Sequence, residues 1–224
     1  MQSIIECTNL KKIYQNGETE NKVLNNINLI VEQGDFISIM GTSGVGKSTL
    51  INILGLIDSD FEGAYRFNHA AVKEMNDDEL SEYRNNYIGF IFQNFNLIDE
   101  YNVKENILLP FLYTSRKSSA NKINELAKKM NIFDKLSEYP PNLSGGQKQR
   151  VAIMRALINQ PQVIIADEPT GALDEETRDE ILDILVQLNK EGKTIILVTH
   201  DPKVANKSSK ILEIKEGQLM EKLG

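Results

Sequence analysis

The sequence predicts an α/β fold with a mostly parallel core sheet, an antiparallel β region at its amino end and a helical insert. Three observations predict it. The apolar runs Phe36 to Met40, Val163 to Ala166 and Thr194 to Val198 read as strands buried on both faces. Segments of helical periodicity separate them, and that alternation argues for parallel strands covered by helices. The stretch from Asn94 to Gln160 is helical in character and too long for a loop.

Taken in order, Ile4 to Thr8 alternates weakly and Asn26 to Val31 alternates better, so both read as short strands. Between them Asn16-Gly17 is a strong turn signal. Gln33-Gly34-Asp35 is a second turn, feeding the strand Phe36 to Met40. After a first helix, residues 58–63 form a loop and Gly63 to Asn68 a short strand. Asp77 to Arg84 reads as a polar helix starting from Asn76, and Tyr87 to Phe92 as a strand ending at Gln93. Val103 to Tyr113 is an apolar helix interrupted at Pro110. Ser119 to Met130 carries Ile123, Leu126, Ala127 and Met130 at helical spacing. Pro140-Pro141-Asn142 predicts an extended connector, followed by a helix from Gln147 to Ile158. Glu175 to Lys190 is amphipathic, with Ile181, Leu182, Leu185 and Leu188 on its core side. Lys210 to Leu219 closes the chain as a hairpin.

Bulk properties narrow the classes. With 224 residues the chain buries about 70–75% of its unfolded surface and needs no staples. Its single cysteine, Cys7, forms no internal disulfide, which fits a reducing cytosol, and no histidine lies near it in sequence to make it reactive. No secretory signal is visible, and the longest apolar stretches are too short to cross a bilayer, so a membrane role must come through a partner. The net charge is −7, and the densest basic stretch, from Arg116 to Lys129, is broken by polar and acidic residues. Nothing there advertises a nucleic-acid surface.

The chemistry centres on Gly41-Thr42-Ser43-Gly44-Val45-Gly46-Lys47-Ser48-Thr49. It has the spacing of the phosphate-binding loop and lies between a strand and a helix, which makes the fold a P-loop NTPase. Its glycines let successive N–H groups point into one concavity, and the helix adds its positive end. Lys47 is placed to reach the β- and γ-phosphates, and the Ser48 hydroxyl to ligate magnesium.

Asp167-Glu168 follows the strand Val163 to Ala166. The aspartate suits a water-bridged magnesium, and the glutamate suits orienting or deprotonating the attacking water. His200 follows the strand Thr194 to Thr199, at the same edge of the sheet, and reads as a γ-phosphate contact. His69, in a polar stretch, reads as structural. Leu143-Ser144-Gly145-Gly146-Gln147 is a second anion cradle at a helix N-terminus. Two cradles suit one nucleotide if two copies of the chain close over it.

With these residues in view the chain resembles an ATP-binding-cassette ATPase subunit from Tyr14 to Gly217. Residues 143–147 match that family's signature, Gln93 its Q-loop glutamine, Gly171-Ala172-Leu173-Asp174 its D-loop, and Tyr14 its adenine-stacking aromatic. The resemblance implies ATP and Mg2+ as cofactors. Lys47, Gln93, Glu168 and His200 would be catalytic, and Ser48, Gln93 and Asp167 would serve the metal. Tyr14, the loop Gly41 to Thr49, Gln93, residues 143–147 and Asp174 would bind nucleotide. It implies one ATPase domain over residues 1–224. That domain comprises a RecA-like core with an N-terminal antiparallel β subdomain at about 1–93 and 161–224, and an inserted helical subdomain at about 94–160.

It also implies a head-to-tail homodimer holding two ATPs, a separately encoded transmembrane permease, and a place on the cytoplasmic face of the membrane through that permease. Residues 53–58, 88–97 and 166–171 resemble the lipoprotein-release and macrolide-export group, which includes antimicrobial-peptide export ATPases. Lys148 and Ala172 stand where glutamine and asparagine are frequent, and the segment Arg116 to Asn121 has few apolar residues. Phe95, Leu97, Ile98 and Tyr101 follow Gln93 and read as a partner surface or as ordinary packing. The expected function is ATP hydrolysis powering export or extraction of a peptide, lipoprotein or hydrophobic drug. The alternative is an ATP-driven switch that acts on a membrane partner and moves no substrate. A role in DNA repair or translation predicts long coiled-coil inserts or two cassettes in one chain, and the sequence has neither.

Overall fold

A computed structural model of the chain describes residues 2–17, 19–113 and 120–222. It opens with a long antiparallel hairpin, β1 (Ser3–Asn16) and β2 (Thr19–Glu32). These strands run well beyond the short ones expected. The pairing is interrupted by register shifts, and Asn9 and Asn26 sit at φ 50° and 62°. Each shift resets the two-residue alternation, so the pattern fades while the strand continues. Next come β3 (Phe36–Met40), α1 (Lys47–Leu54), β4 (Glu62–Phe67) and the two-residue β5 (Ala70–Ala71). Helix α2 (Asp77–Tyr87) begins at an Asn76 cap and leads directly into β6 (Ile88–Ile91).

Helix α3 (Val103–Leu108) tightens into a 3-10 turn over Leu109–Tyr113, because Pro110 has no N–H to continue the ladder. Residues 114–119, which hold most of the Arg116 to Asn121 segment, lie outside the described residues. Helix α4 (Ala120–Lys129) follows. Pro140–Asn142 is a 3-10 turn, not the extended connector expected. Its prolines occupy the first turn, where a fixed φ near −65° fits and no N–H is needed. Helix α5 (Gly145–Leu157) then starts two residues before the expected Gln147, because Ser144 caps it. The remaining elements are β7 (Val163–Asp167), α6 (Glu175–Lys190), β8 (Thr194–Val198), the short α7 (Pro202–Ala205), β9 (Lys210–Lys215) and β10 (Gln218–Glu221).

Two sheets result. One is antiparallel, in the order β2-β1-β4-β5. The other is six-stranded, in the order β10-β9-β3-β8-β7-β6, and only its edge strand β10 is antiparallel. The continuous apolar runs are explained by two cores, one on each face of this larger sheet. Val163, Ile165, Ile196 and Val198 face the core shared with α1 and the antiparallel sheet. Ile164, Ala166, Ile195 and Leu197 face the core shared with α3, α4, α5 and α6. With both faces covered, no polar position is left on β7 before Asp167.

Lys12 is the one buried lysine among the described residues, 4% exposed. Its ammonium lies 2.9 Å from Asp58 and 3.1 Å from Asp60, and also donates to the Asp60 carbonyl. Burial favours the neutral amine, but the hydrogen bonds and charges of Asp58 and Asp60 outweigh it and raise the pKa above its ordinary value. These three contacts tie β1 to the loop after α1.

Cys7 lies on the buried face of β1, and burial pushes its thiol up to about 12. The reactive thiolate is then absent from the folded protein at ordinary pH. Iodoacetamide should leave Cys7 unmodified in the native chain and alkylate it once denaturant is added. Mass spectrometry of both samples checks this, and native alkylation at the rate of a free thiol would contradict it.

Candidate functional site

Strand β3 ends at Met40, and residues 41–46 carry the chain into α1. Gly46 stands at the N-cap of α1 with φ 108°. A Cβ there would lie 2.9 Å from Val23 Cγ1 and 3.0 Å from the Val23 carbonyl oxygen. Both the dihedral and the space therefore demand glycine. No acidic side chain occupies the first turn of α1, so the positive end of the helix is not neutralised from within. Lys47 Nζ donates to the carbonyl oxygens of Gly41 at 2.7 Å and Thr42 at 2.9 Å, arching over the loop. Val45 packs into the core behind the loop.

The other residues arrive from neighbouring strands. In the order β3-β8-β7-β6 all four strands are parallel, so their carboxyl ends share one edge. Asp167 ends β7, and burial raises its carboxyl pKa, with the Glu168 charge adding and Lys47 opposing. Glu168 follows in the left-handed region at φ 43°, held by its N–H donating to Val198 at 2.9 Å. Its Oε1 lies 2.7 Å from His200 Nδ1, just past β8. The carboxylate is only 14% exposed and the imidazole 70%. Gln93 extends beyond β6, and its Nε2 lies 3.0 Å from where a Cβ on Gly171 would stand.

A cleft of about 730 Å³ gathers these groups. Its walls include Thr42, Ser43, Gly44, Gly46, Lys47, Ser48, Thr49, Gln93, Asp167, Glu168 and His200. Val23 of β2 also lines it and was not expected from the sequence. Its signal was the steric demand at Gly46, which no linear pattern displays. Among the described residues no group of three or more His, Cys, Asp or Glu side chains forms a cation cage. Mg2+ is commonly held by one or two carboxylates together with substrate phosphates. The Ser48 hydroxyl and Asp167 fit that partial site.

Tyr14 and residues 143–147 and 174 do not line the cleft. Tyr14 is an exposed residue of β1 with Lys12 Nζ 5.1 Å from its ring centre. The Leu143 side chain is buried in the core. Ser144 and Gln147 form a capping box, with Ser144 N–H donating to Gln147 Oε1 at 2.9 Å and Gln147 N–H to Ser144 Oγ at 3.3 Å. Asp174 caps α6, accepting from Thr177 N–H at 2.9 Å and Thr177 Oγ at 2.8 Å, which holds its carboxyl below the ordinary range. Leu97 packs against the core, as the ordinary-packing alternative had it, whereas Ile98 and Tyr101 are exposed. The loop between them is fastened by Asn106, a fully buried residue of α3 that donates to the Ile98, Tyr101 and Asn102 carbonyls.

The family model for ABC transporters matches residues 24–171, about two thirds of the chain and all of the loop. The chain belongs to the ABC transporter family. It is an ATP-binding cassette, its reaction is ATP hydrolysis, and its cofactors are ATP and Mg2+. An uncharacterised ABC transporter ATP-binding protein of Bacillus subtilis, YvrO, is 44% identical over 97% of this chain and 96% of its own. The bacitracin export ATP-binding protein BceA of Halalkalibacterium halodurans is 42% identical, over 99% of this chain and 88% of its own. Among solved structures, a dimeric post-hydrolysis state of the cassette MJ0796 bound to ADP and Pi superposes with a TM-score of 0.89 and 39% identity. That match covers 98% of this chain and 99% of the other. No helix among the described residues is long and apolar enough to cross a membrane.

Gly145 and Gly146 are packed tightly. A Cβ on Gly146 would lie 2.4 Å from Thr177 Cγ2. Thr177 cannot turn aside without releasing Asp174. Gly146→Ala should therefore cost about 1–3 kcal/mol of unfolding free energy. Thr177→Ser removes the offending methyl and keeps the hydroxyl, so the double variant should recover most of the loss. Urea titrations check this, and a wild-type midpoint for Gly146→Ala would refute the contact.

Proposed function

We propose that the chain is the ATP-hydrolysing subunit of an exporter, working as a pair of copies on a separate membrane permease. In this reading Lys47 leaves the carbonyls of its own loop to meet the β- and γ-phosphates. The N–H groups of residues 42–47 and the end of α1 hold the phosphates. Ser48, Asp167 and Gln93 would hold the metal, which when bound would offset charge developing on the phosphate oxygens. Glu168 accepts the proton of the attacking water. His200 fixes one oxygen of that carboxylate through Nδ1 and leaves Nε2 for the γ-phosphate. The observation that carries the reading is the 2.7 Å Glu168–His200 contact in the same cleft as the Lys47 loop.

Residues 143–147 lie outside that cleft, which favours their serving the nucleotide of a second copy. The dimeric form of MJ0796 supports the same arrangement. Tyr14 then stacks on the adenine of its own nucleotide, and Asp174 lies near the dimer seam. Residues 94–160 are the helical subdomain and residues 1–93 and 161–224 the remainder. The exposed Ile98 and Tyr101 are the part of the 95–101 segment left for a permease. The permease then holds the subunit at the cytoplasmic face of the membrane. The relative BceA is named for bacitracin export, and in this reading the cargo is a peptide, a lipoprotein or a hydrophobic drug.

Two variants test the mechanism. Glu168→Gln should bind ATP, dimerise on a sizing column and lose about 10²–10⁴-fold in turnover. Wild-type hydrolysis by that variant removes Glu168 from the mechanism. Lys47→Ala should weaken nucleotide binding about 10- to 100-fold, as expected for hydrogen bonds to a charged phosphate. Unchanged affinity in equilibrium titration removes the loop assignment.

A further inference from the structure

The geometry points to Arg155 as a positioning residue for Gln93, an inference that rests on the reading of Gln93 given above. Arg155 lies in the last turn of α5 and is half-buried. Its Nη2 donates to the Phe95 carbonyl at 2.6 Å and its Nη1 to the Asn96 carbonyl. Among the described residues it has no carboxylate partner. Burial lowers its pKa below the usual arginine range, as expected for a cation whose only partners are neutral carbonyls.

The backbone it holds is unusual. Phe95 and Asn96 both lie in the left-handed region, at φ 61° and 49°. A bulky residue such as phenylalanine reaches that region only when its surroundings impose it. Phe95 N–H closes a turn onto the Phe92 carbonyl at 3.2 Å, and Asn96 N–H closes a tighter one onto Asn94 at 2.6 Å. Gln93 is inside the first of these turns. Its side chain meets Gly171 on one side, and the exit of its turn is clamped by Arg155 on the other.

The clamp needs a guanidinium. Two N–H groups in a rigid plane grip two successive carbonyls, and a lysine ammonium on a flexible stem cannot fix both directions. Arg155, Asn96, Phe90 and Phe92 also line a groove of about 610 Å³ on the side of β6 facing α2 and residues 109–113. The clamp thus stands between that groove and the nucleotide cleft.

The test is a double-mutant cycle on ATPase turnover by the purified chain, with nucleotide affinity followed by a fluorescent ATP analogue. Arg155→Lys should lower kcat about 10- to 100-fold, the cost of a displaced catalytic group, with KM and analogue affinity within about twofold. On a Gln93→Ala background the same substitution should cost nothing further, because the two act through one group. Wild-type kcat in Arg155→Lys, or a full additional loss on the Gln93→Ala background, overturns the proposal. A kcat loss matched by an equal loss of nucleotide-binding sites assigns Arg155 to folding alone and also overturns it. If Gln93→Ala itself turns over like wild type, the reading of Gln93 fails. An impaired Gln93→Ala beside a normal Arg155→Lys removes Arg155 alone. Should Arg155→Lys not fold, Asn96→Val at the exposed end of the clamp replaces it in the cycle. A β-branched residue cannot hold φ near 49°, so the same non-additive loss is expected, and unchanged kcat refutes the clamp.

Discussion

The site depends on the parallel register of β3, β8, β7 and β6. In chain order these strands run β3, β6, β7, β8, but in space β8 inserts between β3 and β7. That insertion puts His200 between the Lys47 loop and the strand that carries Glu168. Neighbouring strands are about 4.8 Å apart, so the Lys47 loop, His200 and Glu168 arrive from three adjacent strand ends within about 10 Å across the sheet. The two cores hold the register. Ile196 and Val198 face one and Ile195 and Leu197 the other, so slipping β8 by one residue would exchange its two faces and misalign His200.

Much of this was legible because the chemistry is local in sequence. The loop, the Asp167-Glu168 pair and His200 each follow a short apolar run, and in a parallel sheet that alone puts them on one edge. Other features depend on contacts distant in the chain. Val23 belongs to the cleft because Gly46 packs against it, 23 residues away. The length of β1 and β2 was hidden by register shifts that erase alternation without ending the pairing. Pro140-Pro141 read as extended because X-Pro is usually so, yet a proline in the first turn of a 3-10 helix sacrifices nothing. Asn106 sits in an apolar helix with no sequence mark of its role, and its role appears only when the carbonyls of residues 98, 101 and 102 converge on it.

The segment Leu143 to Gln147 is constrained within the single chain. Ser144 and Gln147 spend their side chains on capping α5, and Leu143 spends its own on the core. Gly145 and Gly146 face Leu173 and Thr177 closely enough that a Cβ on either would crowd them. These residues are therefore already engaged within the single chain. Leu173 and Thr177 meet those glycines and Asp174 caps α6 through Thr177, which makes residues 143–147 and 173–177 one packed unit.

The placing of Glu168 follows from the same logic. A carboxylate side chain at φ 43° carries a cost of order 1–3 kcal/mol, which must be met elsewhere. Here the neighbouring strand meets it: Glu168 N–H extends the β7–β8 ladder to Val198, and the Glu168 carbonyl accepts from Gly171. Leaving the extended conformation breaks the outward alternation of the strand and directs the side chain along the sheet edge towards His200. An extended Glu168 would instead follow the alternation of Ala166 and face a core. The strain is thus what keeps a carboxylate within 2.7 Å of the histidine and out of the apolar interior.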